Sequence, residues 1–346
     1  MARRSSPRAD EAFRRSPGRS ARAFAVPPNN VSINLPTESK SEITVAQIIR
    51  ARPQGLSVRL HRCLSVLAIA AVGVLGTLSP ATADTGKKYV ALGDSFAAGV
   101  GIPTILDQSC SRSDHNYAHL FAAQRGYSLT DVTCGGATTD SVTSTQLSAV
   151  TSDTGLVTLG IGGNDIGFTD IVKACVEAGT LGGGSGTAIG ALATGSASGS
   201  AEALLGCKNK FAASMPTRLA QTSAKLTTLV VAIRTRAPQA RIVLVGYPKI
   251  LPDDASTCLG QQPVLPDDAN WARDTVIGGL NTMLRSQAGT EYFSTFELYN
   301  GHDVCQPVAN RWVNGTKVEN GDGMPFHPNQ YGHAATAQQM AATIAG

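Results

Sequence analysis

The stretch KKYVALGDSFAAGVG, residues 87–101, decides how the chain is read. Tyr89 to Leu92 form an unbroken apolar run, the pattern of a strand covered on both faces. The run stops on Gly93, Asp94 and Ser95, then passes into small residues and glycine. Such an ending is either a plain turn or the presentation of a serine. Four further runs continue the pattern: LTDVTC (129–134), GLVTLGIG (155–162), ARIVLVGYP (240–248) and YFSTFEL (292–298). The runs at 155 and 240 are again near-continuous, whereas those at 129 and 292 alternate and suit the edges of a sheet. Helix-length segments lie between them: 114–125, with Ser113 as N-cap candidate, 211–237, with Pro216 near its first turn, 268–288 and 329–345. Strands alternating with helices imply βαβ units. The expected fold is α/β, a three-layer α/β/α sandwich with a central, mostly parallel five-stranded sheet, formed by one domain over residues 84–346.

The 346 residues are 42% hydrophobic and only 16% charged, a globular composition. The net charge of +4 is unevenly placed. Residues 1–83 hold 12 Lys and Arg against 4 Asp and Glu, while residues 84–346 hold 17 against 21. The part expected to fold therefore lacks a basic excess, which argues against a nucleic-acid partner.

The basic excess belongs to a leader. Residues 58–83 run from Arg59 and Arg62 through about fifteen apolar residues to Ala81-Thr82-Ala83, the order of a secretory signal peptide cleaved near Ala83. The apolar run falls short of the roughly 20 residues of a membrane span. An anchored surface protein with an uncleaved leader is the alternative. Residues 1–57 are rich in Arg, Ser and Pro without periodicity and read as a disordered basic leader. They also fit a mis-called start, with translation beginning nearer Val58.

Cysteine usage agrees with export to a secreted, extracellular location. Of seven cysteines, Cys63 leaves with the signal, and six remain: Cys110, Cys134, Cys175, Cys207, Cys258 and Cys305. An even number in an exported chain implies disulfides, with 15 connectivities open. The simplest is sequential: Cys110–Cys134, Cys175–Cys207 and Cys258–Cys305. None has C-x-x-C spacing, which argues against zinc. Residues 178–203 are rich in Gly, Ala, Ser and Thr. They read as a surface excursion clipped at its base by Cys175–Cys207, or as a flap over an apolar cleft.

In an open parallel sheet, ligands bind beyond the carboxyl ends of the strands. The first strand is followed there by Gly93-Asp94-Ser95. The second is followed by CGGATTD, with Gly135 and Gly136, and the third by GIGGNDIGF, with Gly162, Gly163, Asn164 and Asp165. Near the C-terminus stands PFHPNQYGH, with His327. A serine, glycine backbone, a carboxamide and an imidazole are the parts of an acyl-transfer site.

These four blocks, GDS, GGATT, GGND and HPN, resemble those of the SGNH (GDSL) hydrolases, in the family's order and across residues 88–346. The six-cysteine spacing further resembles the family's secreted bacterial lipases and esterases. The resemblance implies Ser95 as nucleophile and His327 as general base. It implies an oxyanion hole from the N–H groups of Ser95 and Gly136 and the side chain of Asn164. No metal or organic cofactor is implied. The third residue of the first block is followed by Phe96 where leucine is usual. Many members also carry Asp three residues before the histidine, where this chain has Met324. The histidine is then expected to be oriented by a backbone carbonyl of Met324 or Pro325, with Asp322 as the side-chain candidate.

Other readings of these motifs fail. The α/β-hydrolase elbow G-x-S-x-G would need glycine at Ala97. GIGGND has Asp165 where a dinucleotide loop needs its last glycine. His115 and His119 have zinc-like spacing on an expected helix, yet Asn116 replaces the glutamate of a zincin. His302 is the alternative base, and His333 is expected to pack on the last helix. The expected protein is a secreted, monomeric serine ester hydrolase, a lipase or esterase, acting on small-molecule or lipid esters with transient contact to lipid surfaces. The alternatives are an esterase for acetylated sugars and a catalytically silent binding protein on the same scaffold.

Overall fold

The computed structural model describes residues 87–182, 206–258, 260–319 and 321–344, all within the compact unit Gly76–Gly346. The segments expected to be a basic leader (1–57) and a signal peptide (58–83), and most of the 178–203 segment, lie outside the described residues.

Among the described residues seven strands form in chain order: β1 (Lys88–Gly93), β2 (Ile105–Asp107), β3 (Arg112–Ser113), β4 (Ser128–Asp131), β5 (Thr154–Gly160), β6 (Arg241–Val245) and β7 (Glu291–Phe293). Five make one sheet in the order β4-β1-β5-β6-β7, every pair parallel. β2 and β3 make a small antiparallel hairpin. The near-continuous runs occupy the centre of the sheet and the alternating runs its edges, because only central strands are covered on both faces.

Side-chain alternation divides the core between the two faces. Tyr89 and Ala91 of β1, with Val243 and Val245 of β6, pack beneath α2 (Tyr117–Arg125) and the last helix (Gln330–Thr343) through Phe121, Ala337 and Met340. Val90, Leu92, Ile242 and Leu244 face the other way. They meet the helix Met215–Arg236 and the helical run Pro266–Arg285 through Leu226, Leu229, Ile233, Leu280 and Leu284. This is the three-layer α/β/α arrangement expected from the sequence.

Four local expectations change. The strand expected at 129–134 runs from Ser128 to Asp131, after which Val132 and Cys134 bond singly to the carbonyls of Ala91 and Gly93, both at 3.1 Å. The strand expected at 292–298 ends at Phe293, and a single turn, Glu297–Tyr299, follows. Ser113 does not cap α2. Its hydroxyl accepts the His115 N–H (2.9 Å), and Asn116, in extended conformation, caps the helix by accepting the His119 N–H (3.0 Å). His115 thus precedes the helix and pairs with Asp114, while His119 lies 3.4 Å from Asp131. The helix expected over 211–237 breaks into Gly206–Phe211 and Met215–Arg236. Pro216 lacks the N–H that would bond to the carbonyl of Ala212.

The disulfides pair Cys110–Cys134, Cys175–Cys207 and Cys258–Cys305. The first ties the hairpin loop to the segment after β4, where the Gly135 N–H also bonds to the Cys110 carbonyl at 2.9 Å. Its ends are 24 residues apart in sequence. Replacing Cys110 and Cys134 together by serine is expected to remove about 3 kcal/mol of stability, mainly by releasing the unfolded chain. Thermal unfolding of the double variant checks this, and an unchanged Tm would contradict it.

Candidate active site

The sheet order reverses beside β1, since the chain moves from β1 to β4 and then crosses to β5 on the other side. The crevice at such a switch point lies at the carboxyl ends of β1 and β5. The glycine that ends β1 is required by a close approach. A Cβ on Gly93 would stand 2.6 Å from the Gly160 carbonyl oxygen and 2.8 Å from the Ala97 Cβ. The buried Gln146 side chain holds the same peptide at both ends, accepting the Gly93 N–H (2.8 Å) and donating to its carbonyl (2.9 Å).

Asp94 turns the chain into a one-turn helix, α1 (Ser95–Ala98), by accepting the Phe96 N–H at 2.9 Å. Ser95 is the first residue of that turn. The helix geometry leaves its N–H unpaired, and no acceptor among the described residues takes it. Gly136 sits at φ 78°, a left-handed conformation that suits glycine, with open space where a Cβ would be. Its N–H is also free of any acceptor among the described residues. Asn164 follows β5 and donates one amide hydrogen to the Ala137 carbonyl (2.8 Å), which leaves the second available. Asp165 accepts from both the N–H and the hydroxyl of Thr139, at 3.0 and 2.7 Å. The loops after β4 and β5 are therefore tied to each other.

His327 arrives on the loop before the last helix. Its Nε2 lies 2.8 Å from Ser95 Oγ, and its Nδ1 lies 2.8 Å from the Pro325 carbonyl oxygen. The tautomer with hydrogen on Nδ1 satisfies both contacts, leaving Nε2 to accept from the serine hydroxyl. Asn314 holds this loop in shape. Its N–H donates to the His327 carbonyl (3.1 Å), its carbonyl accepts from the Phe326 N–H (3.0 Å), and its amide donates to the Asp322 carbonyl (2.7 Å). Asn329 then caps the last helix through the N–H groups of Tyr331 and Gly332.

The three expected orienting groups are now separated. The Met324 carbonyl accepts the His327 backbone N–H (3.2 Å), and the Asp322 carboxylate accepts the Gln330 N–H. Only the Pro325 carbonyl meets the ring. Phe96 packs on the imidazole with ring centres 4.6 Å apart, and this desolvation holds the His327 pKa below the ordinary histidine value, the Pro325 carbonyl partly offsetting it. The other described histidines stand apart from Ser95. His302 stacks on Trp312 and bonds to the Asn310 carbonyl. His333 is buried, accepts the Tyr117 N–H at Nδ1, and has its pKa pushed down to about 3 by burial.

Ser95, Gly136, Asn164 and His327 all line one open cleft of about 620 Å³. Its wall is largely apolar, with Val100, Phe168, Val172, Val176, Met324 and Phe326. Residues 91–335 match the GDSL-like lipase/acylhydrolase family. The chain belongs to this family. Carboxylic ester hydrolysis is its reaction class, and the resemblance carried by the four blocks is borne out. It is 33% identical over 293 residues to Lipase 2 of Streptomyces coelicolor, covering 78% of this chain and 92% of that one. Lipase 1 of the same organism is 32% identical over 285 residues, covering 80% and 94%. Among solved structures, phospholipase A1 of Streptomyces albidoflavus superposes with a TM-score of 0.58 at 26% identity, covering 75% of this chain and 99% of that one. The extracellular lipase of Streptomyces rimosus gives 0.56 at 25% identity, covering 75% and 100%.

The sequence reading missed Gln146, Asn314, Tyr247 and Asn281, all buried polar residues that shape the site. Gln146, Tyr247 and Asn281 work through partners 34 to 153 residues away and Asn314 through a loop 8 to 13 residues on, so no motif spacing marks them.

Proposed function

We propose that this family member is a secreted lipase or esterase that cleaves lipid esters through an acyl-enzyme on Ser95. The observation that carries the reading is the chain Ser95 Oγ–His327 Nε2 and His327 Nδ1–Pro325 O, each link 2.8 Å, at the floor of an apolar cleft. Ser95 Oγ attacks the ester carbonyl carbon while its proton passes to Nε2. The Pro325 carbonyl orients the ring and stabilises the imidazolium, with a dipole where many relatives use a carboxylate. The oxyanion sits among the N–H groups of Ser95 and Gly136 and the free Asn164 amide hydrogen. As the carbon–oxygen bond breaks, the imidazolium protonates the leaving alcohol. Water then loses a proton to His327, attacks the acyl carbon and releases the acid, returning the proton to Ser95.

The apolar wall supports an acyl chain as the group bound beside Ser95. Hydrolysis of p-nitrophenyl esters from acetate to palmitate tests the substrate class. A rising rate towards long chains supports a lipase, and activity confined to acetate would sink the lipid reading. Asn164→Ala is expected to lower kcat roughly 10²- to 10³-fold, the cost of one oxyanion donor. An unchanged kcat in the folded variant would remove Asn164 from that role.

Export as a monomer completes the proposal. Three disulfides fit an oxidising compartment. The mass of the protein recovered from the medium tests it, and a chain retaining the residues before Asp84 would contradict cleavage near Ala83.

A further inference from the structure

Tyr247 follows β6 and is 4% exposed. Its hydroxyl lies between the two loops that carry the reacting groups. It donates to Asp94 Oδ2 at 2.5 Å and accepts the Gly163 N–H at 2.7 Å. Asp94 directly precedes Ser95, and Gly163 directly precedes Asn164. The ring also packs on Phe96, with centres 5.1 Å apart, and Phe96 in turn packs on His327. One side chain therefore touches the supports of the serine, the carboxamide and the imidazole.

We propose that Tyr247 is a positioning residue whose hydroxyl locks the serine turn to the oxyanion loop. The inference rests on the roles proposed above for Ser95, Asn164 and His327.

Three features make the contact a fixed one. Asn281 clamps the Tyr247 backbone on both sides, accepting its N–H (2.8 Å) and donating to its carbonyl (2.9 Å). Gly163 lies flat against the phenol. A Cβ there would stand 3.1 Å from the Tyr247 oxygen and 3.2 Å from a ring carbon, so the loop has little room to slide. Asp94 is 1% exposed, and both of its carboxylate oxygens are engaged, one by Phe96 N–H and the other by Tyr247. Burial pushes its carboxyl up to about 7, and the Tyr247 hydroxyl opposes that shift. Without the hydroxyl, the Gly163 N–H and the Asp94 carboxyl each lose a buried partner, and the two loops lose their shared fixed point. Misplacement of reacting groups by about 1 Å is enough to cost roughly 10²-fold in rate.

Tyr247→Phe removes the hydroxyl and keeps the ring contacts. In the full-length protein with its disulfides formed, kcat is expected to fall roughly 10- to 100-fold with KM nearly unchanged. The rate of labelling by a fluorophosphonate should fall in parallel. A hydroxyl that merely stabilised the fold would lower Tm and leave kcat of the folded protein alone, and that result would overturn the proposal. Asp94→Ala, which leaves the Tyr247 hydroxyl no partner there, provides the second arm. It should lower kcat similarly, and the double variant should be no worse than the more damaged single variant, because both changes break one link. Independent, multiplying losses would also overturn it. Should Tyr247→Phe fail to fold, a folded Asp94→Ala with an unaltered kcat would be decisive against the link. Ser95→Ala is the control: if it stays active, the catalytic reading fails, whatever Tyr247 does. If it is inactive while Tyr247→Phe is normal, only this inference fails.

Discussion

Ser95→Ala is expected to lower kcat for ester hydrolysis by roughly 10⁴- to 10⁶-fold, leaving substrate binding almost intact. The hydroxyl is the only proposed bond-forming atom, so its loss removes the acyl-enzyme route. The residual rate would come from the oxyanion donors, which remain in place because the Ser95 and Gly136 N–H groups belong to the backbone. The fold should tolerate the change. Ser95 Oγ bonds only to His327 among the described residues, while the turn itself is held by Asp94, Gly93 and Gln146. Steady-state kinetics on a p-nitrophenyl ester, with thermal unfolding as a check, measures both. A loss of less than tenfold would mean that another nucleophile carries the reaction.

His327→Ala is expected to match the serine variant in kcat, since the two act as one unit and their losses do not add. The double variant should therefore be no slower than either single one. The native pH profile provides a second reading of the same residue. The base works unprotonated, so activity falls as pH drops through the His327 pKa. Burial against Phe96 lowers that pKa, so the acid limb should lie below about pH 6.5, the ordinary histidine value. A limb above that value would point to a carboxylate partner raising the pKa, contrary to the carbonyl contact at Pro325.

The legible parts of this fold are those whose physics is local. β1, β5 and β6 are covered on both faces, so they appear as unbroken apolar runs, and their central places follow. The edges are less legible because a half-exposed strand competes with turns. The run at 292–298 therefore keeps only Tyr292 and Phe293 as strand, within β7. Serine and asparagine are both good cap residues, and Ser113, expected to cap α2, is instead the last residue of the β2–β3 hairpin while Asn116 caps the helix. Of the residues that the structure gathers at the cleft, Ser95, Gly136 and Asn164 follow strand ends, which converge by topology in a parallel sheet, while His327 and the choice among the glycines rest on the resemblance of the four blocks to the family. Their supports carry no such mark. Gln146 reaches back 53 residues to grip Gly93, and Tyr247 reaches back 153 to Asp94. The choice among Met324, Pro325 and Asp322 was out of reach for a different reason. A backbone carbonyl leaves no letter in the sequence, and the folded loop decides which one points at the ring.

The central claim is a covalent intermediate on Ser95. The most direct measurement is reaction of the full-length, disulfide-bonded protein with a fluorophosphonate, followed by mass spectrometry of the digested product. The account predicts a single adduct on the peptide containing Ser95, formed in step with the loss of ester hydrolysis and absent from Ser95→Ala. An adduct on another residue, or complete loss of hydrolysis with Ser95 unmodified, would contradict it.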